Sequence, residues 1–106
     1  MSYLSFVQGG LATVSTAATS RALTTATTEV KSVTIQAERS NTGTIYVGDS
    51  NVVSTAYGVA LGAGDSVTIS GDQYGSHPNK VKLSTIYLDT SVNGDGVSYF
   101  YLQETA

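Results

Sequence analysis

Apolar and polar side chains alternate along most of this chain with a period of two. Residues 30–38 show it most clearly. Val33, Ile35 and Ala37 fall on one side of an extended backbone, and Thr34, Gln36 and Glu38 fall on the other. Residues 66–70 repeat the pattern, with Val67 and Ile69 flanked by Ser66, Thr68 and Ser70. One phrase occurs twice: Thr44-Ile45-Tyr46-Val47-Gly48-Asp49-Ser50 and Thr85-Ile86-Tyr87-Leu88-Asp89-Thr90-Ser91. Each places two aliphatic side chains two residues apart and then runs into polar turn residues, which reads as strand followed by turn.

Extending this reading predicts about eight strands. Residues 1–10 form an arm ending in Gly9-Gly10, followed by strands over 11–17 and 23–28. Further strands are expected over 30–38, 43–48, 57–61, 66–70, 83–89 and 97–103. The 30–38 and 43–48 strands are expected to pair as a hairpin through Arg39-Ser40-Asn41-Thr42-Gly43. Gly62-Ala63-Gly64 reads as a second hairpin turn, and Asn93-Gly94-Asp95-Gly96 as a reverse turn. Only residues 17–26 tempt a helical reading. Their many threonines argue against it, because β-branched side chains lose freedom in a helix. The last strand is apolar on both faces, with Val97, Tyr99 and Tyr101 on one and Phe100 and Leu102 on the other, which places it centrally in a sheet. Turn spacings near ten residues and the lack of crossover helices predict an all-β fold. The expected architecture is a single antiparallel β-sandwich of one domain, with residues 1–29 as arm and first strands and residues 30–106 as the remainder.

Composition changes this picture in one respect. Charged residues make up 12% of the 106, about half the usual share of roughly 25%. Fourteen Ser, fifteen Thr and eleven Gly fill the deficit. Two readings follow: Ser and Thr decorating exposed strand faces, or a neutral surface that rests against other copies or a larger assembly. The net charge of −3 leaves no basic stripe for phosphates, so neither nucleic acid nor an anionic membrane is an expected partner. With no cysteine there is no disulfide and no thiolate nucleophile. The first residues carry no basic region followed by a long apolar run, so retention in the compartment of synthesis, or carriage in a particle, is expected.

Six segments recur in a telling order: Val33-Thr34-Ile35, Ile45-Tyr46-Val47-Gly48-Asp49, Gly58-Val59-Ala60-Leu61, Gly64-Asp65-Ser66-Val67-Thr68-Ile69, Ile86-Tyr87-Leu88, and Gly96-Val97-Ser98-Tyr99-Phe100-Tyr101-Leu102. This order resembles small virion structural proteins of tailed bacteriophages. Residues 71–82 and the first 29 residues fall outside the resemblance. It implies a jelly-roll-like sandwich that serves as a capsid decoration (cement) protein, a head-fibre base, or a tail or neck component. It implies a homo-oligomer, with a trimer favoured, and the major capsid protein or other virion proteins as partners. The implied location is the virion, assembled in the bacterial host cytoplasm. No catalytic residue and no cofactor is carried over, and an enzyme is not expected.

The candidate chemistry is sparse. His77 is the single imidazole and lies in a Gly/Ser/Pro/Asn loop with no acid at a fixed spacing. Asp89, Asn93 and Asp95 are spaced irregularly for a calcium loop, and their residue types also serve turns; Asp49-Ser50-Asn51 has the same two readings. No metal site is assigned. Tyr46 and Tyr87 should lie on the outer faces of their strands, either as a cross-strand pair or under a neighbouring subunit. Tyr3, Leu4, Phe6 and Val7 make the arm apolar, so it either clasps a neighbour or forms an ordinary edge strand. The candidate interface residues are therefore Tyr3, Leu4, Phe6, Tyr46 and Tyr87. The alternative function is a carbohydrate- or receptor-binding module of a head or tail fibre, with Tyr74 and His77 in the 71–82 loop as its contacts.

Overall fold

The computed structural model describes residues 3–71, 73–74, 77–78 and 80–105. The strands are β1 (Tyr3–Thr13), β2 (Arg21–Ala22), β3 (Glu29–Val30), β4 (Ser32–Ala37), β5 (Ile45–Gly48) and β6 (Val59–Leu61). They continue with β7 (Ser66–Ser70), β8 (Gln73–Tyr74), β9 (His77–Pro78), β10 (Val81–Lys82), β11 (Tyr87–Thr90) and β12 (Gly96–Thr105). A 3-10 turn covers Leu83–Thr85.

Eight of these strands form two sheets. The long sheet has the order β1-β12-β4-β7 and the short sheet the order β2-β11-β5-β6, with all neighbours antiparallel. The remaining strands form two small ladders, β3 with β10 and β8 with β9. Six of the seven connections between the eight main strands cross from one sheet to the other; only β5–β6 stays within a sheet. This alternation gives the jelly-roll form of the sandwich.

The alternation seen in the sequence explains the layering. Val33, Ile35 and Ala37 on β4 and Val97 on β12 point inward and are fully buried. They meet Ile45, Val47, Leu61 and Leu88 from the short sheet in one apolar cluster. Val30 and Leu83 join it from the segments that link the sheets. β12 lies between β1 and β4, so its central position follows the expectation from its two apolar faces.

Several expected elements differ. The segments at 30–38 and 43–48 do not form a hairpin, because β4 and β5 belong to different sheets. Gly62-Ala63-Gly64 likewise turns between sheets rather than within one, since β6 and β7 are in separate layers. A short turn reverses the chain equally well within a sheet or across the gap. The residues that decide the outcome are distant: β4 takes β12 and β7 as partners. The expected strand at 23–28 is replaced by the short β2 and β3 around buried Leu23. The expected strand at 83–89 begins with the 3-10 turn.

The arm and the strand expected at 11–17 are one continuous strand, β1, interrupted by a bulge. Gln8 faces Phe100 and Gly10 faces Tyr99, leaving Gly9 as the extra residue. Gly10 sits at φ +105°, and a Cβ on Gly9 would overlap the Tyr99 ring. Residues opposite one another in a ladder share a face. Val7 opposes Tyr101 before the bulge and Ala12 opposes Val97 after it, so Tyr3, Ser5, Val7, Gly10 and Ala12 carry the core-facing parity. Leu4, Phe6, Gln8, Leu11 and Thr13 carry the outward one.

Replacing Ile35 by Ala should lower stability by about 2–5 kcal/mol, the range for a truncated aliphatic core residue. Gly9→Ala should cost about 1–3 kcal/mol by displacing the Tyr99 ring. Urea unfolding measures both, and an unchanged midpoint for Gly9→Ala would show that the ring does not rest on the bulge.

Candidate functional site

Among the described residues, several polar side chains near the turns bond to backbone groups. At one end of the sandwich, Asn41 acts as a side-chain extension of the long sheet. Its Nδ2 donates to the Gly96 carbonyl at 2.8 Å, and its Oδ1 accepts from the Gly96 amide at 3.0 Å. Asp95 is buried beside it. Its carboxylate accepts from the amides of Gly43 at 2.7 Å and Thr42 at 3.2 Å. Ser91 Oγ accepts from the Thr44 amide at 2.9 Å, and Asn93 Oδ1 from the Ala17 amide at 2.7 Å. Three chain reversals, at residues 14–20, 38–44 and 91–95, are thereby tied together.

Asp89, Asn93 and Asp95 therefore do not converge on a cation. Asp89 Oδ1 accepts from the Thr90 amide at 2.8 Å, and each of the other two faces a different stretch of backbone. Asp49 Oδ1 accepts from the Asn51 amide at 2.9 Å, which is turn chemistry. Among the described residues no group of three His, Asp or Glu side chains could hold a metal ion. The Gly62 turn is closed by Asp65, whose Oδ2 accepts from the Gly62 amide at 3.1 Å. The side chains of Tyr74 and His77 lie outside the described residues, and only their backbone pairing in β8 and β9 is described.

Tyr46 and Tyr87 are half-buried on the outer face of the short sheet. Tyr46 stands opposite Asp89 and Tyr87 opposite Gly48, so they do not face each other across the ladder. Tyr46 instead meets Tyr57, with ring centroids 5.0 Å apart, because residues 49–58 fold back over this face.

The exposed apolar surface concentrates elsewhere. Seven large apolar side chains are exposed among the described residues. Four of them, Tyr3 at 62%, Leu4 at 47%, Phe6 at 65% and Leu11 at 72%, lie on β1. β1 is eleven residues long, forms an edge of the long sheet, and contains no charged residue and no proline. Such an edge is a template for another strand unless charge, proline, brevity or a bulge blunts it, and here only the bulge at Gly9 interrupts it. On the outer face Phe6 stacks against Phe100, with centroids 4.9 Å apart and planes at 26°. A shallow depression of about 420 Å³ lies beside them, lined in part by Gln8, Thr34, Gln36 and Ser66. The structure thus brings Tyr3, Leu4 and Phe6 together on one strand and leaves Tyr46 and Tyr87 on the opposite sheet. Leu11 and Phe100 are not among the interface residues expected from the sequence, although Phe100 is read there as part of an apolar face of the last strand. The bulge that turns Leu11 outward is signalled only by Gly9-Gly10, and Phe100 gains its place through long-range pairing.

No protein-family model matches the chain, and neither curated proteins nor solved structures give a significant match.

Asp95→Ala should destabilise the fold by about 1–3 kcal/mol, since it leaves the Thr42 and Gly43 amides without their acceptor. Thermal unfolding reads the loss, and faster amide exchange at Gly43 locates it. An unchanged melting curve would show that the carboxylate does not hold the turn.

Proposed function

We propose that this chain is a structural protein of a tailed-phage particle, a capsid decoration (cement) protein that acts by associating with its own copies and with the shell. The observation that carries this reading is the β1 edge: eleven residues without charge, bearing four exposed large apolar side chains. Burying them is the source of binding free energy, at roughly 25 cal/mol per Å² of apolar surface. Repetition over a lattice of identical shell subunits multiplies weak contacts into firm attachment. The motif order from residue 30 to 102 supports the same reading, as does the jelly-roll strand order, which occurs in viral capsid domains. The latter is support by analogy of fold alone. The side chains with chemical potential, Asp95, Asn93 and Asn41, hold backbone amides and carbonyls. A trimer is the assembly proposed.

A second reading, a carbohydrate-binding module, draws on the depression beside Phe6 and Phe100. Aromatic faces flanked by Gln8 and Gln36 suit the apolar and hydroxyl sides of a sugar ring. The jelly roll also occurs in lectin domains.

Co-sedimentation with expanded shells assembled from the major capsid protein tests the first reading. The chain should travel with the shells, and Phe6→Lys should bind at least tenfold more weakly while remaining folded by circular dichroism, with only the modest loss of stability due to the Phe100 stack. A chain that stays in the supernatant at all concentrations, and binds immobilised glycans instead, would replace this reading by the second.

A further inference from the structure

Building on the reading of the chain as a self-associating structural protein, we infer that β1 of one copy adds, antiparallel, to β7 of the next, linking identical copies head to tail in a closed ring. The long sheet ends in two edges, β1 and β7, and no other described strand pairs with either on its outer side. Neither strand carries a charge or a proline. The short sheet ends in strands of two and three residues, β2 and β6, too brief to recruit a partner.

The two long-sheet edges are complementary in direction. Four antiparallel strands make β1 and β7 run opposite ways. A rotation about an axis to which the strands are inclined, as in a barrel, keeps their sense, so it brings β1 of one copy beside β7 of another in antiparallel sense and shifted along the strand from the level that sets Gln8 with Thr68 within one chain. A head-to-tail contact of this kind closes into a ring when the rotation returns on itself.

They are also complementary in side chains. Beside β7 the two sheets part, and Val67 and Ile69 face Val47, Val59 and Ile86 across an apolar cleft of about 410 Å³. β1 carries the matching surplus, since Tyr3 and Val7 have the core-facing parity and Tyr3 is 62% exposed. Pairing that keeps the faces aligned continues the inner layer with Tyr3 and Val7 over the cleft. It sets Leu4 and Phe6 beside Ser66, Thr68 and Ser70 on the outer face. The Tyr3 and Phe6 rings are the aromatic part of this surplus, the two residues being 62% and 65% exposed. Two β1 edges meeting around a twofold axis would cover those rings but leave both the cleft and the β7 edge open. A closed head-to-tail ring covers both ends of every long sheet.

Engineered cysteines test this directly, because the chain has none of its own. Leu4→Cys with Thr68→Cys, and Phe6→Cys with Thr68→Cys, sample two registers on the outer face. Within one chain these positions lie three strand spacings apart, about 14 Å, beyond the reach of a disulfide. Mild oxidation of one of the double variants should give cross-linked species up to a closed ring of three. The single variants Leu4→Cys and Phe6→Cys should cross-link to a Thr68→Cys chain and not to themselves. Self-cross-linking of either β1 variant, or no cross-link from an assembled protein, overturns the ring. As a second measurement, Thr68→Arg, which also removes the 2.9 Å hydroxyl bond to Thr34, should weaken the assembly at least tenfold by light scattering while circular dichroism still shows a folded β protein; an unaltered mass also overturns it. Shell binding of the same variants separates the two levels. Retained binding without β1–β7 cross-links removes the ring and leaves the structural role, whereas loss of both in a folded protein removes both.

Discussion

A sheet that is not closed into a barrel ends in two strands whose outer backbone groups pair with whatever strand arrives, and this constraint organises the molecule. The short sheet meets it by brevity. Its edges are β2, with two residues, and β6, with three. The Arg21 guanidinium also donates to the Thr13 carbonyl at 2.8 Å, tying β2 to the end of β1. On the long sheet the one interruption of an edge is the Gly9 bulge in β1. Its edges, β1 and β7, span eleven and five residues without a charge. That asymmetry between the two sheets is why the long one is proposed as the associating layer.

The interior makes that asymmetry affordable. Ile35, Val97, Ile45 and Leu88 form an apolar layer shared by both sheets, and the turns around Asn41 and Asp95 are fixed by side-chain bonds to backbone. The buried carboxylate of Asp95 satisfies two amides that would otherwise lack partners in a crowded corner. Core and turns therefore define the sandwich while β1 keeps four large apolar side chains in solvent.

Local periodicity revealed much of the fold and less of its wiring. The alternation over 66–70 matches β7, and the parity of Val33, Ile35 and Ala37 matches the buried face of β4. The two apolar faces of residues 97–103 correctly placed β12 inside a sheet. The expected hairpin between 30–38 and 43–48 failed because turn residues such as Asn41 and Gly43 reverse a chain without recording which sheet it enters. Here Asn41 bonds to Gly96, fifty-five residues away, a partner no local pattern names. Tyr3, Leu4 and Phe6 were legible as apolar residues in need of cover. That they stand on an edge strand depends on β12, and that Leu11 joins their outward face depends on the bulge at Gly9. The failure of the Tyr46–Tyr87 pairing has a similar cause: the register sets Tyr46 against Asp89, and the returning 49–58 segment brings Tyr57 onto its ring.

Amide hydrogen exchange as a function of protein concentration tests the central claim most directly. If the long sheet associates through its open edges, the amides of β1 around Phe6 and of β7 around Val67 slow together as concentration rises, while those of β6 keep their rates. Concentration-independent exchange along both edges would contradict the account.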